Sequence, residues 1–159
     1  MNLNEFLERV ERSQDFTKWK KDNPKSYLCS FFRILEENDD WQIDFYNPKS
    51  DTMTSFLAGD TVKVIDKDSK IFKHKDTEVE ELRLKDVKFE LETAMARVDE
   101  INNEKAIKRI IILQKINKNT TWNLTFITAA FSILNVKIDA GSGEILEQSI
   151  KPIIGYKED

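Results

Sequence analysis

Strict alternation of apolar and polar residues is the feature of this sequence that most constrains its fold. It runs through Trp41-Gln42-Ile43-Asp44-Phe45 and again through Trp122-Asn123-Leu124-Thr125-Phe126. A period of two places every second side chain on the same face of a β-strand, so each segment predicts a strand with one buried face. The buried face needs an apolar layer against it, and an amphipathic helix is a common source of that layer.

Helix signals precede each group of predicted strands. Asn2 and Glu5 have the spacing of a capping box, and the apolar residues from Leu3 to Val10 follow at helical spacing. A second start signal at Ser13 predicts a short helix that stops at Asn23, before Pro24. A third apolar stripe predicts a helix from about Glu90, which Asn102-Asn103 ends.

The two halves of the chain follow a similar order of helix, apolar strand, polar turn, tryptophan strand and aspartate turn. This order predicts an α+β fold made of two repeats, each a helix packed on a three- to four-stranded antiparallel sheet. The expected divisions are 1–75 for the first repeat with extra N-terminal helices, 82–150 for the second repeat, and 151–159 for a C-terminal tail. A single such unit would be marginal alone, whereas two can share a core.

The second half resembles a PepSY domain. The features that carry the resemblance are the lead from Val87 to Ala94, the Trp122 strand, and the closing Ile138-Asp139-Ala140 followed by a glycine turn and Glu144. The resemblance covers about Val87 to Leu146, and the first half is similar only by analogy with the second. It implies a small helix-on-sheet fold and non-enzymatic roles such as inhibition, chaperoning or regulation.

Composition narrows the classes of protein to which the chain can belong. Hydrophobic residues make up 40% and charged residues 34% of 159, which is typical of a folded chain. The net charge of −4 gives no basic surplus, so we expect no nucleic-acid partner. The longest apolar run, Ile110 to Leu113, is too short to cross a membrane. With no secretory signal pattern and only one cysteine, Cys29, we expect a cytoplasmic protein without disulfides.

No pattern of catalytic, metal-binding or cofactor-binding residues is present in the sequence. Cys29 and His74 are single residues of their kinds, and a metal site needs several converging ligands. The stretch from Asp139 to Glu144 lacks the spaced carboxylates of a calcium loop. We therefore expect no catalytic residues, no metal and no cofactor, and we interpret the protein as not an enzyme.

Apolar side chains on the strand faces opposite the predicted core are the one candidate for a functional surface. They predict a partner-binding or repeat-interface surface, or a homodimer contact. The sequence therefore favours a non-enzymatic module that binds a protein or peptide or has a regulatory role. The alternative is a small-molecule carrier with an apolar pocket between helix and sheet. The residues of the candidate surface are Tyr27, Phe31, Tyr46, Phe56 and Ile127.

Overall fold

The computed structural model describes residues 2–71 and 78–153. In these residues the helices are α1 (Leu3–Arg12), α2 (Gln14–Asp22) and α3 (Leu91–Ile101), with a single 3₁₀ turn at Leu84–Asp86. The strands are β1 (Tyr27–Ile34), β2 (Trp41–Asn47), β3 (Thr52–Ala58), β4 (Val62–Lys70), β5 (Ala106–Ile116), β6 (Asn119–Thr128), β7 (Ser132–Asp139) and β8 (Ile145–Pro152).

All eight of these strands belong to one sheet. Their order is β4-β3-β2-β1-β5-β6-β7-β8, and each neighbouring pair is antiparallel. The predicted fold class is therefore wrong. The described residues form one eight-stranded antiparallel sheet with three short α-helices, rather than two repeats with separate sheets of three to four strands, and the predicted internal repeat is unsupported.

The pairing of β1 with β5 is what overturns that prediction. Ser30 to Ile34 lie opposite Ile110 to Gln114 in a regular antiparallel register. Both strands carry apolar side chains on both faces, which is typical of strands in the interior of a sheet. Alternation within a strand predicts its faces, but it does not say which of its two edges another strand will pair with, so the junction was not predicted.

The predicted helix boundaries are confirmed. The Asn2 side chain accepts a hydrogen bond from the Glu5 amide at 3.0 Å and caps α1. Ser13 ends α1 and also begins α2, because its hydroxyl accepts from the Phe16 amide at 3.2 Å. Glu90 is the residue before α3, as the apolar stripe predicted. These caps satisfy amides that the helices cannot pair internally.

One face of the sheet carries the main core, and all three helices contribute to it. On the α2 side, Phe16 and Trp19 pack on Phe45 and Phe56 with ring centroids 4.9 to 5.8 Å apart. On the α3 side, Ala94 and Val98 join the same buried cluster. The sheet supplies the largest share of this core, with Phe31, Trp41, Ile43, Ile111, Leu113, Trp122, Leu124, Phe126, Val136 and Ile138.

A side-chain bridge extends the β1–β5 junction beyond its last strand pair. The backbone amide and the Nε of Arg109 donate to the two carboxylate oxygens of Glu36 at 2.7 and 2.6 Å. Partial burial of Glu36 raises its pKa, but the hydrogen bonds and positive charge of Arg109 outweigh this, so the pKa lies below its ordinary value. Both side chains are about a third exposed, so the pair adds only modest stability.

Two local expectations need correction at strand ends. The aspartate turn predicted for the first half, at residues 66–70, is instead part of β4, which continues to Lys70 with irregular pairing and a left-handed Asp68 (φ 51°). The predicted tail 151–159 begins inside β8, which runs to Pro152, and residues 154–159 lie outside the described residues. The proposed division into 1–75 and 82–150 stays a prediction.

Trp19 and Trp122 give a matched test of the main core. Both are buried, but the Trp122 Nε1 donates to the Phe89 carbonyl at 3.0 Å, whereas the Trp19 Nε1 has no acceptor within the described chain. Each Trp→Phe substitution removes similar volume, but Trp122→Phe also leaves a carbonyl unsatisfied. We expect Trp122→Phe to lower the free energy of unfolding by about 1–3 kcal/mol more than Trp19→Phe. Urea denaturation measures both, and equal losses would contradict the structure.

Candidate functional site

The described helices all pack on one face of the sheet, which we call the helix side. The opposite face, which we call the open face, has no helix from residues 2–71 or 78–153 packed against it. Cross-strand partners share a face, so the register assigns every strand residue to one side. Phe31, Ile43 and Phe56 are cross-strand partners on the helix side. The residues that alternate with them along each strand point to the open face.

One row of side chains crosses the open face over all eight strands. Its charged members lie at its ends: Lys63 on β4 at one end, and the ion pair of Lys137 with Glu147 (2.9 Å) at the other. The five positions between them are uncharged. From β3 to β6 these positions are Leu57, Gln42, Phe32, Ile112 and Asn123.

A second uncharged row lies beside the first. It pairs Ile34 with Ile110, and continues to Thr125 and Asn135. Asn135 Nδ2 donates to the Asn123 and Thr125 side-chain oxygens at 2.8 and 2.9 Å, which fixes these polar groups in place. We call the following half-buried residues the open-face patch: Phe32, Ile34, Gln42, Leu57, Ile110, Ile112, Asn123, Thr125, Ile127, Ile133 and Asn135.

The five residues predicted as a functional surface are divided between the two faces. Tyr27 and Tyr46 are opposite each other on the open face, with ring centroids 5.6 Å apart. Ile127 is also on the open face, beside Ile133. Phe31 and Phe56 are fully buried on the helix side, because the helices cover the face that the sequence pattern had left open. That these five residues bind a partner stays a prediction.

The end of the open face that holds the tyrosines is closed by local contacts. The Tyr27 hydroxyl donates to the Val79 carbonyl, and the Tyr46 hydroxyl donates to the Asp51 carboxylate. Tyr46 is only 6% exposed. The accessible part of the face is therefore the open-face patch rather than the tyrosine pair.

The central patch residues Phe32, Ile110 and Ile112 were missed as candidates by the sequence analysis. The run Ile110 to Leu113 is the signal that could have identified them, because four successive apolar residues in a strand must place two on each face. In β1 the pairing register shifts between Leu28 and Ser30, so the side chains no longer alternate regularly between the two faces. The sequence-based assignment of residues to faces assumed regular alternation.

A buried polar network lies next to the patch and includes the single cysteine, Cys29. The Ser30 hydroxyl and the Gln42 amide donate to the Asp44 carboxylate at 2.6 and 2.9 Å. Burial, followed by the charge of Asp44, raises the pKa of the Cys29 thiol to about 12, although a hydrogen bond with Ser30 partly opposes this. Since the thiolate is the nucleophilic form, we expect Cys29 to react slowly near neutral pH.

Among the described residues no group of three or more His, Cys, Asp or Glu could hold a metal ion. His74 lies outside the described residues. The Asp139 carboxylate accepts hydrogen bonds from the amides of Gly141 and Ser142 at 2.7 and 2.9 Å. This aspartate therefore stabilises the β7–β8 turn in the way that Asp commonly does.

A cleft of about 630 Å³ opens on the helix side between the N-terminal ends of α1 and α3. Its floor is formed by Trp41 and Trp122, which are 5% and 1% exposed. The Arg33 guanidinium lies over the Trp41 ring at 5.8 Å and pairs with Asp39 at 2.9 Å. The remaining lining is apolar on the walls, with Leu3, Phe6, Leu84, Val87 and Leu91, and polar at the rim, with Asn2, Asn4, Glu90 and Glu92.

A comparison of structures finds the same fold in a crystal structure of a "putative lipoprotein" from Clostridium difficile 630. The TM-score is 0.58 at 16% sequence identity, and the match covers 90% of this chain and 94% of the other. Identity at this level supports a common fold and carries no assignment of function.

No protein-family model matches the chain, and no curated protein sequence matches it either. The PepSY resemblance therefore has no support from these comparisons and stays a prediction, whereas the two-repeat architecture that was predicted from the order of elements is wrong. No helix in the described ranges is long and apolar enough to cross a membrane. The expected cytoplasmic location stays a prediction, as does the absence of enzymatic activity.

Labelling of Cys29 tests the environment of the polar network. We expect the native protein to react with Ellman's reagent at pH 8 far more slowly than the protein in denaturant, because the raised pKa keeps the buried thiol protonated. The single cysteine makes the absorbance change unambiguous. Equal labelling rates with and without denaturant would show that Cys29 is exposed and would contradict this arrangement.

Proposed function

We propose that this is a non-enzymatic binding protein that holds another protein on the open-face patch. The observation that carries the proposal is the row of side chains across all eight strands, which is uncharged at its centre and charged at its ends. The centre of a protein–protein interface is depleted in charged residues, and its rim is polar. The open-face patch has the same distribution.

The side chains of the patch suit the recognition of a protein surface. Phe32 and Ile112 are direct cross-strand partners at its centre, and Leu57 lies two strands from Phe32 in the same row. Aromatic and aliphatic side chains in such a position provide the apolar area of an interface. The amides of Asn123 and Asn135 are held by hydrogen bonds, so they can bind a partner with little loss of conformational freedom.

The dimensions of the patch are consistent with this function. The eleven residues of the patch lie on six strands in three rows. With about 4.8 Å between strands and about 6.8 Å between rows, each position occupies about 33 Å², so the patch covers roughly 360 Å² in projection. Exposed apolar patches of a few hundred Å² often mark interaction sites. A standard interface buries about 800 Å² on each partner, so the charged margins around Lys63 and Lys137 would supply the rest.

Site-specific photo-crosslinking in cells of the source organism tests the proposal. A benzophenone amino acid in place of Phe32 puts the reactive group at the centre of the patch. The same amino acid in place of Phe131, which is 60% exposed outside the patch, is the control. We expect a covalent adduct with a second protein from position 32 and not from position 131.

A double substitution shows whether the adduct depends on the patch. Ile110→Thr with Ile112→Thr removes apolar area from the patch and keeps β-branched side chains, so the strand is preserved. Ile65→Thr with Ile150→Thr makes the same chemical change on the exposed edge strands. Loss of the adduct in the first variant alone supports the proposal. Adducts only between copies of the chain, identical adducts from positions 32 and 131, or none from position 32 would each overturn it.

A further inference from the structure

We infer that the cleft between α1 and α3 is a second binding site, and that it takes an apolar peptide segment carrying one basic side chain. The site lies on the helix side of the sheet, opposite the open-face patch, so the inference does not rest on the proposed function. It stands on the shape of the cleft, the chemistry of its walls and the charges at its rim.

The shape of the cleft favours a peptide over an enclosed small molecule. Its volume of about 630 Å³ is large enough for several side chains. Its floor is already closed, since Trp41 and Trp122 are almost fully buried. Small-molecule sites bury most of the ligand's surface, which an open cleft with a closed floor cannot do. A peptide bound along the cleft needs contact with the protein on only one of its sides.

The walls supply apolar contact from two separate parts of the chain. Leu3 and Phe6 come from α1, and Val87 and Leu91 come from the segment that enters α3. All four are only partly buried where they pack against the core. Apolar side chains of a peptide would therefore remove further apolar surface from water on both walls.

The charges at the rim determine whether the cleft favours a positively or a negatively charged ligand. The Arg33 guanidinium already pairs with the Asp39 carboxylate at 2.9 Å. Glu90 and Glu92 line the cleft, and neither carboxylate has a hydrogen-bond or ion-pair partner among the described residues. Glu90 precedes α3 without capping it through its side chain. Two negative charges therefore remain beside an apolar surface, which complements a Lys or Arg side chain.

The N-terminal ends of α1 and α3 would by themselves favour a ligand of the opposite charge, because helix N-termini carry partial positive charge and attract anions. At α1 the Asn2 side chain already binds the Glu5 amide. At α3, Glu90 immediately precedes the helix and Glu92 lies in its first turn, so both carboxylates offset the partial charge. An anion placed there would lie against both carboxylates, so the cation is favoured.

Three capped pentapeptides, Gly-Leu-Xaa-Leu-Gly with Xaa as Lys, Gln or Glu, test the inference against the full chain. The readout is the indole N–H resonances of the three tryptophans in nitrogen–proton NMR spectra. We expect the Lys peptide to shift the Trp41 and Trp122 signals and leave Trp19, which belongs to α2 and packs on Phe45, unchanged. Affinity should fall from Lys to Gln to Glu by about two- to fivefold at each step, because the first change removes an ion pair and the second adds a repulsion.

A double variant separates charge recognition from a structural role of the glutamates. Glu90→Gln with Glu92→Gln should abolish the preference for the Lys peptide and leave binding of the Gln peptide unchanged. Asp99→Asn with Glu100→Gln removes two charges from the exposed far end of the same helix and should change neither. The variant Ile110→Thr with Ile112→Thr should also bind the Lys peptide normally, because the patch is on the opposite face.

The peptide-binding measurements test this inference independently of the open-face patch. Strongest binding by the Glu peptide would mean that the helix N-termini and Arg33 form an anion site. Equal binding of all three peptides, or no shift of Trp41 and Trp122, would also overturn the inference. Failure of the crosslinking from position 32 together with the expected peptide order would remove the proposed function and leave this site standing.

Discussion

The pairing of β1 with β5 is the interaction on which the rest of the structure depends. It joins β1–β4 to β5–β8 by five residue pairs, from Ser30 opposite Gln114 to Ile34 opposite Ile110. The bridge between Glu36 and Arg109 and the bond from the Leu35 amide to the Arg109 carbonyl continue it past the end of β1. Without this junction each half would have an unpaired apolar strand at its edge, which is a site for aggregation.

The junction also creates both candidate sites. On the open face it places Phe32 against Ile112, so that one uncharged row continues from β3 to β6. On the helix side it brings Trp41 of one half near Trp122 of the other, beneath the cleft that both tryptophans line. A single constraint on strand pairing therefore determines the geometry of two surfaces on opposite sides of one layer.

Local features of the fold could be predicted from the sequence because they depend on neighbouring residues. The caps at Asn2 and Ser13, the start of α3 and the tryptophan strands all depend on signals within a few positions. The strand pairing that unites the sheet could not be predicted in the same way. It joins residues about 80 positions apart, and β1 and β5 are apolar on both faces, so either edge of each strand was a possible partner.

The candidate surface was only partly predictable for a related reason. Where both faces of a strand are apolar, the position of the helices decides which face is core. In β1 the register shift near Cys29 leaves Phe31 under the helices and Phe32 on the open face, the reverse of the sequence-based assignment. The cleft depends on tertiary packing between α1 and the segment before α3, for which the sequence gives no local signal.

Nuclear Overhauser contacts between β1 and β5 test the central claim most directly. One continuous sheet predicts cross-strand contacts between Phe32 and Ile112, and between Ile34 and Ile110, as strong as those within β1–β2 or β5–β6. Contacts confined to the two groups of four strands, with none between β1 and β5, would show two separate sheets. The uncharged row, and with it the proposed binding surface, would then not exist.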